Sequence, residues 1–506
     1  MKRLLTFFLI FGFAFTIISC QKKETYSYEV LKEANPRNDI YYQIFVRSFA
    51  DSDGDGIGDL KGIEENLDYL KDLGITALWL MPINPSPTYH GYDVLDYYEI
   101  NPDYGTIEDF KSLVKEANKK NIDIILDLVI NHTSDQHPWY LEGKGESHYD
   151  YYYRLGSSAH ETFVGGMVDL DHNNPAVEAE MKEIMRFYVE MGVKGFRLDA
   201  AKFFFDKPGQ VGNPVFLNVN YIQMLKLYLR SLREDAYLVT EIWDNYPFLI
   251  QPYYRGTDSS FNFPLYYDII SKVGKDQNKG TLISNLTNSY EEYRKYNPNF
   301  VDAVFISNHD LDRLASLGGF ESLERQKLGA EILLTLPGNP FIYYGEEIGM
   351  KGYRYEGDNI SGYGVVYDEY RRQPFLWGDN KYQTSWLPSD GSNNQTIPLN
   401  EQKTDPNSLY NTYQELVELR KKTPALMFGN EIKRYINNSG TIQGFVKTFE
   451  YQEFKQTVVV LYNLSSYEQE ISHEKVKVLY GSLTMKPYST LVLEVESESG
   501  FAYVYG

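Results

Sequence analysis

Eight short apolar runs, most of them followed by a stretch with helical periodicity, constrain this chain more than any other feature. They occupy residues 40–49, 77–83, 122–129, 195–200, 237–242, 261–266, 303–309 and 340–344. Short runs bounded by turn signals, largely apolar rather than alternating, fit strands buried on both faces. Eight of them interleaved with helices predict an α/β fold, a closed parallel (β/α)8 TIM barrel. The connection after the third run, residues 132–174, is unusually long and rich in Tyr and Gly, so a small inserted domain or lid is expected there. Beyond Thr423-Pro424 the pattern changes to short alternating runs at 457–462, 476–479 and 490–495, which predict a C-terminal antiparallel β-sandwich.

A parallel barrel presents its chemistry at the C-terminal ends of its strands. Three runs end there in a carboxylate. Asp199 stands in Phe196-Arg197-Leu198-Asp199-Ala200, Glu241 in Val239-Thr240-Glu241-Ile242-Trp243, and Asp310 in Ser307-Asn308-His309-Asp310. Breaking a glycosidic bond with retention needs a nucleophilic carboxylate and a carboxyl proton donor, with a third group to support charge at the sugar ring. The pattern points to a glycoside hydrolase. A formal charge of −21 makes nucleic acid an unsuitable partner and a neutral substrate the simpler expectation.

The first twenty residues read as a targeting segment: Lys2 and Arg3 precede an apolar run, 4–18, too short for a comfortable membrane span. It ends Ile17-Ile18-Ser19-Cys20, similar to the lipobox of bacterial lipoproteins, in which the cysteine is acylated. Cys20 is the only cysteine, so no internal disulfide is available. The chain is expected to be an exported lipoprotein on a bacterial membrane, at the outer membrane or cell surface. Residues 21–38 are expected to be a tether, 39–131 and 175–424 the barrel, 132–174 the insert and 425–506 the sandwich.

The chain resembles the α-amylase family, glycoside hydrolase family 13, from about Ile40 to the C-terminal sandwich. The motifs run in the family's order: Asp127-Leu128-Val129-Ile130-Asn131-His132, then Gly195-Phe196-Arg197-Leu198-Asp199-Ala200-Ala201-Lys202, Glu241, and Asn308-His309-Asp310. Gly91-Tyr92-Asp93 and Gly338 to Glu347 also fit. Taken singly, each residue is an ordinary strand-end ion pair or satisfied histidine; the ordered set is not. The resemblance implies Asp199 as nucleophile, Glu241 as general acid/base and Asp310 as the third carboxylate. Arg197 would hold Asp199 ionised, and His90, Tyr92, His132, Lys202 and His309 would contact an α-glucan substrate such as starch or maltooligosaccharides. Relatives that keep the barrel but lack the carboxylates serve as binding modules; here all three are present.

A second cluster, Asp51-Ser52-Asp53-Gly54-Asp55-Gly56-Ile57-Gly58-Asp59, places oxygen donors at alternate positions around glycine turns, as a Ca2+ loop does. The alternative is a solvated acidic turn. It resembles a family 13 calcium loop, implying Asp51, Asp53, Asp55, the Ile57 carbonyl and Asp59 as ligands. A second family calcium would involve Asn131 and Asp169, although Phe203 stands where a histidine usually follows the motif lysine. Family members that trim single glucose units tend to have an acidic residue three positions before the stacking tyrosine, paired with arginine. Here that segment is Tyr89-His90-Gly91-Tyr92, which favours an open cleft cutting internal α-1,4 bonds. Neopullulanase, cyclomaltodextrinase and oligo-α-glucosidase activities stay open, as do glycan-uptake partners.

Overall fold

The computed structural model describes residues 26–435, 440–472 and 476–496. The expected targeting segment and Cys20 lie outside the described residues. Eight strands form one parallel sheet: β1 Tyr41–Ile44, β2 Ala77–Leu80, β3 Asp123–Leu128, β4 Gly195–Leu198, β5 Tyr237–Thr240, β6 Ser259–Ser260, β7 Ala303–Phe305 and β8 Asn339–Tyr343. The order is β6-β5-β4-β3-β2-β1-β8-β7, and a parallel bridge from Phe261 to Ala303 joins the two ends. Apart from the edge of β3, every strand residue is buried. That is why the runs lacked alternation: helices cover the outside and side chains fill the inside.

The helices between strands are set by local signals. One of them, Pro175–Glu190, starts at Asn174, whose side chain accepts from the Ala176 amide, with Pro175 in its first turn. It buries Val177, Met181, Ile184, Met185 and Tyr188 at helical spacing. The sixth strand departs from expectation. Residues 261–266 are not a strand, because Asn262 caps a helix, Phe263–Asp268, with Pro264 in its first turn. The strand is the polar pair Ser259–Ser260 just before it.

Residues 26–38 are not a tether either. Ser27 caps a helix, Tyr28–Ala34, that buries Leu31. Lys32 Nζ reaches Asp39 Oδ1 at 2.7 Å, and Lys194 Nζ reaches Asp39 Oδ2 and Asp123 Oδ2 at 2.7 Å each. These residues stand at the starts of β1, β3 and β4, so the helix is locked to the barrel floor, opposite the carboxylates. The polar composition misled because Lys32 is paired with Asp39 and Leu31 is buried, while only the outer face, with Glu29 and Glu33, meets solvent.

Within 132–174, His132–Ser134 pairs antiparallel with Met167–Asp169, rooting the insert at the mouth beside β3. The C-terminal region holds β9 Ile432–Arg434, β10 Ile442–Tyr451, β11 Phe454–Asn463, β12 Val476–Tyr480 and β13 Ser489–Val495, antiparallel in the order β9-β10-β11-β13-β12. One face packs on the barrel, where Tyr462 bonds Thr335 at 2.8 Å. The other encloses a second cluster, including Ile442, Val459, Leu491 and Met485, the last from the short pair Gln469–Glu470 with Thr484–Met485. This is the expected small sandwich.

Candidate active site

Strand alternation assembles the site. Arg197 stands in register with Asp127 across β3 and β4, and Asp199 is two residues on, on the same face. The buried guanidinium donates from Nη1 to Asp127 Oδ1 at 2.7 Å and to Asp199 Oδ1 at 2.6 Å, while Nη2 lies 3.1 Å from Glu241 Oε1. One cation therefore serves three carboxylates. Directly after Asp199, Ala200 takes a left-handed φ of 48°. That conformation costs a non-glycine residue about 1–2 kcal/mol. It turns the Ala200 amide onto Glu241 Oε2 at 3.0 Å.

The electrostatics separate the carboxyl groups. Burial pushes Glu241 up to about 8, with the charges of Asp199 and Asp310 adding to the rise and Arg197 opposing it. Burial likewise lifts Asp127 to about 7 against the pull of Arg197. Asp310 goes the other way. Burial disfavours its ionisation, but the hydrogen bond from His309 and the charges of Arg372 and Arg197 outweigh that and hold it well below the usual carboxylate range. A carboxyl that keeps its proton near neutrality beside groups that do not is an acid/base arrangement.

His90, Tyr92, His132 and Lys202 line the same cleft, a space of about 350 Å³, whereas His309 is fully buried behind Tyr92. Tyr92 stacks on His309 with ring centroids 5.5 Å apart, and its hydroxyl donates to Asp127 Oδ2 at 2.9 Å. His90 accepts from the Tyr92 amide at Nδ1, which leaves Nε2 to face Thr88 Oγ1 at 3.0 Å. His132 holds the Tyr92 carbonyl at 3.0 Å through Nε2. Burial lowers the pKa of both histidines, so they stay neutral hydrogen-bonding groups. Lys202 Nζ donates to the Trp243 carbonyl at 2.9 Å and lies 3.7 Å from Asp244.

The Alpha amylase, catalytic domain family matches residues 43–162 and 145–429. The chain belongs to the α-amylase family. It is 41% identical to Alpha-amylase 3 of Dictyoglomus thermophilum, over 91% of this chain and 93% of that one. It is 32% identical to the 4-alpha-glucanotransferase of Thermotoga maritima, over 90% of this chain and 100% of the relative. The crystal structure of alpha-amylase from H.orenii superposes with a TM-score of 0.78 at 35% identity, covering 91% of this chain and all of that one. The chain is thus a glycoside hydrolase of the α-amylase family.

In this amylase-family cleft the sequence motifs left out a second wall. Arg372, in the loop after β8, donates from Nη2 to Asp368 Oδ2 at 2.7 Å and Asp310 Oδ1 at 3.2 Å. The Tyr89 hydroxyl donates to Asp368, and Arg372 Nη1 donates back to it at 3.2 Å. An acid–arginine pair therefore does stand at this end of the cleft, supplied by a different loop from the one where it was sought. The only local signal was an acid four residues before an arginine, in a segment without periodicity.

The two expected calcium sites differ. In the first loop, carboxylate oxygens of Asp51, Asp53 and Asp59 lie within 4.8 Å of one another. Glycines 54 and 56, at φ 86° and 94°, allow the tight turns. An all-oxygen donor set suits a hard cation. Asp55 is not in this group; its carboxylate accepts the Ile57 amide at 2.7 Å. The second site is corrected. Asn131 and Asp169 do meet, Nδ2 to Oδ1 at 3.3 Å, but Lys207 Nζ lies 3.6 Å from Asp169 Oδ2 and donates to the Leu170 carbonyl at 2.7 Å. The buried ammonium already supplies the positive charge, so these residues do not fit a second ion.

Proposed function

We propose that the enzyme is a retaining α-glucan hydrolase that cleaves internal α-1,4 bonds by double displacement. The observation that carries this is Glu241, held protonated near neutrality while sharing one guanidinium with Asp199. Asp199 attacks the anomeric carbon as the bond to the leaving oxygen breaks, and Glu241 transfers its proton to that oxygen. Glu241, now ionised, takes a proton from water, whose oxygen displaces Asp199 and restores the α configuration. Asp310, ionised and flanked by His309, is placed to bond sugar hydroxyls and favour the charge-bearing ring. Tyr92 supports that ring, and Asp368 with Arg372 receives hydroxyls of the next one.

The relative named Alpha-amylase 3 supports cutting within a chain; Asp368 and Arg372 narrow the rim beside Tyr89 and His90 from the loop after β8, the feature that would instead favour trimming from an end. Asp51, Asp53 and Asp59 would hold Ca2+, with the Ile57 carbonyl as a further candidate ligand; the ion would neutralise carboxylates that otherwise repel one another. Cys20 would carry lipid, and labelled palmitate should enter wild type and not Cys20→Ala. The decisive test is a product profile on amylose, pullulan and cyclodextrin with the anomer read by NMR. Initial α products, with chain-internal cuts of amylose and little action on pullulan, are expected. Initial β product would overturn the mechanism; glucose alone would overturn the mode of attack.

A further inference from the structure

We propose that Gln43 is a positioning residue for this reaction: its side-chain amide fixes His309 as a neutral imidazole protonated at Nε2, and so aims one N–H at Asp310 and Tyr92, which line the cleft. The proposal rests on the glycosidase reading above. Gln43 is the third residue of β1 and is 1% exposed. Its backbone is fixed on both sides, in register with Trp79 of β2 and Tyr343 of β8. Its side chain therefore reaches the barrel interior from a rigid element, and Nε2 meets His309 Nδ1 at 2.7 Å.

The hydrogen-bond polarities close in one way. Tyr92 has a single hydroxyl proton, and it goes to Asp127 Oδ2 at 2.9 Å. The Tyr92 oxygen can then only accept from His309 Nε2, 2.6 Å away. Asp310 Oδ2, 2.9 Å from the same nitrogen, also needs a donor there, since two lone pairs at that distance would repel. Nε2 therefore carries a proton. The state of Nδ1 decides between a neutral ring and an imidazolium, and an amide N–H pointing at Nδ1 is compatible only with a lone pair.

The charged groups around the ring pull in both directions. Asp310 favours a second proton, while Arg372, which donates from Nε to the His309 carbonyl at 3.2 Å, and Arg197 oppose it. Burial opposes it as well, and Trp79 closes the ring edge at 5.7 Å. Gln43 adds a directional term that burial lacks. It excludes the other neutral tautomer, which would turn a lone pair onto Asp310 and draw the Tyr92 proton away from Asp127. In that way a residue with no contact to the sugar sets the polarity of the chain from His309 through Tyr92 and Asp127 to Arg197 and Asp199.

The test uses the full-length enzyme labelled with 15N-histidine, with the His309 signals assigned by their loss in His309→Asn. At pH 7 wild type should show a pyrrole-type Nε2 and a hydrogen-bonded, pyridine-type Nδ1. Gln43→Met keeps length and burial without the donor. It should shift the Nδ1 resonance and lower kcat on maltooligosaccharides about tenfold, the loss of one ordinary hydrogen bond, with KM nearly unchanged. Gln43→Glu should convert the ring to imidazolium and cost more activity. A wild-type ring that is imidazolium or Nδ1-protonated at pH 7 overturns the proposal even if every Gln43 variant fails to fold. So does a Gln43→Met enzyme with wild-type shifts and kcat. Failure of the glycosidase reading would show separately, as starch hydrolysis surviving in Asp199→Ala, and leaves the tautomer result to be read by itself.

Discussion

Arg197 faces three carboxylates, whereas Asp169, at the root of the insert, has the ammonium of Lys207 beside it. Both groups are buried at the mouth of the same barrel. At Asp169 the charges balance, and the pair ties the insert to the segment after β4 as a structural joint. At Arg197 they do not, and the deficit appears as a proton retained on Glu241 near pH 8. Burial is common to both, so the ratio of cations to carboxylates is what separates a fastening from an acid catalyst.

The strongest way to break that contrast is to remove a carboxylate from the Arg197 group. Asp199→Ala should cost at least about 10⁴-fold in kcat on starch, a loss typical of removing a covalent nucleophile. Glu241→Gln should keep relatively more activity on an α-glucosyl fluoride, whose leaving group needs little protonation. Steady-state rates on the two substrates check both, and an active Asp199→Ala would refute the nucleophile assignment.

Removing the cation from the balanced group should act on stability instead. Lys207→Ala leaves Asp169 buried without its partner, which typically costs about 3–5 kcal/mol. Because Asn131 Oδ1 has no hydrogen-bond partner among the described residues, calcium should then recover part of the lost melting temperature, an effect absent from that position in wild type. Calorimetry with and without calcium decides; a variant as stable as wild type would mean that Lys207 is not the joint.

A smaller effect is expected at the loop of Asp51, Asp53 and Asp59. If it holds calcium, chelation removes about 2.7 kcal/mol at an ion concentration a hundred times Kd. Asp53→Ala should abolish that response. The smallest effect sharpens the catalytic side. Glu241 must hold its proton to act, so activity on starch should fall as pH rises through about 8. Asp310 is one of the charges that raise Glu241, so the residual activity of Asp310→Asn should fall off at lower pH than wild type. An alkaline limb that stays in place would remove Asp310 from the causes.

The barrel was legible because its strands are apolar on both faces, and the carboxylates because each ends such a run. Ser259–Ser260 escaped for the opposite reason. It is a strand of two hydroxyl residues, buried with its oxygens satisfied by neighbouring backbone, as where Ser260 Oγ donates to the Thr240 carbonyl at 3.3 Å. The apolar run after it drew the assignment, although Asn262 and Pro264 carried a helix-start signal. Arg372 and Lys207 were hidden differently. Arg372 ends a single 3-10 turn and Lys207 lies in an irregular loop, and their partners are set by the fold at 62 and 38 residues' separation, from Asp310 and Asp169 respectively. Gln43 sat in plain view in the first strand, but nothing local reveals that the residue opposite it is His309.

The helix Tyr28–Ala34 has a consequence for access. Lys32 and Lys194 clamp it to Asp39 beneath the strand starts, so its bulk lies at the end of the barrel opposite Asp199, Glu241 and Asp310. The floor is thereby plugged and the mouth left clear. A long polymer can approach the open end without meeting this helix.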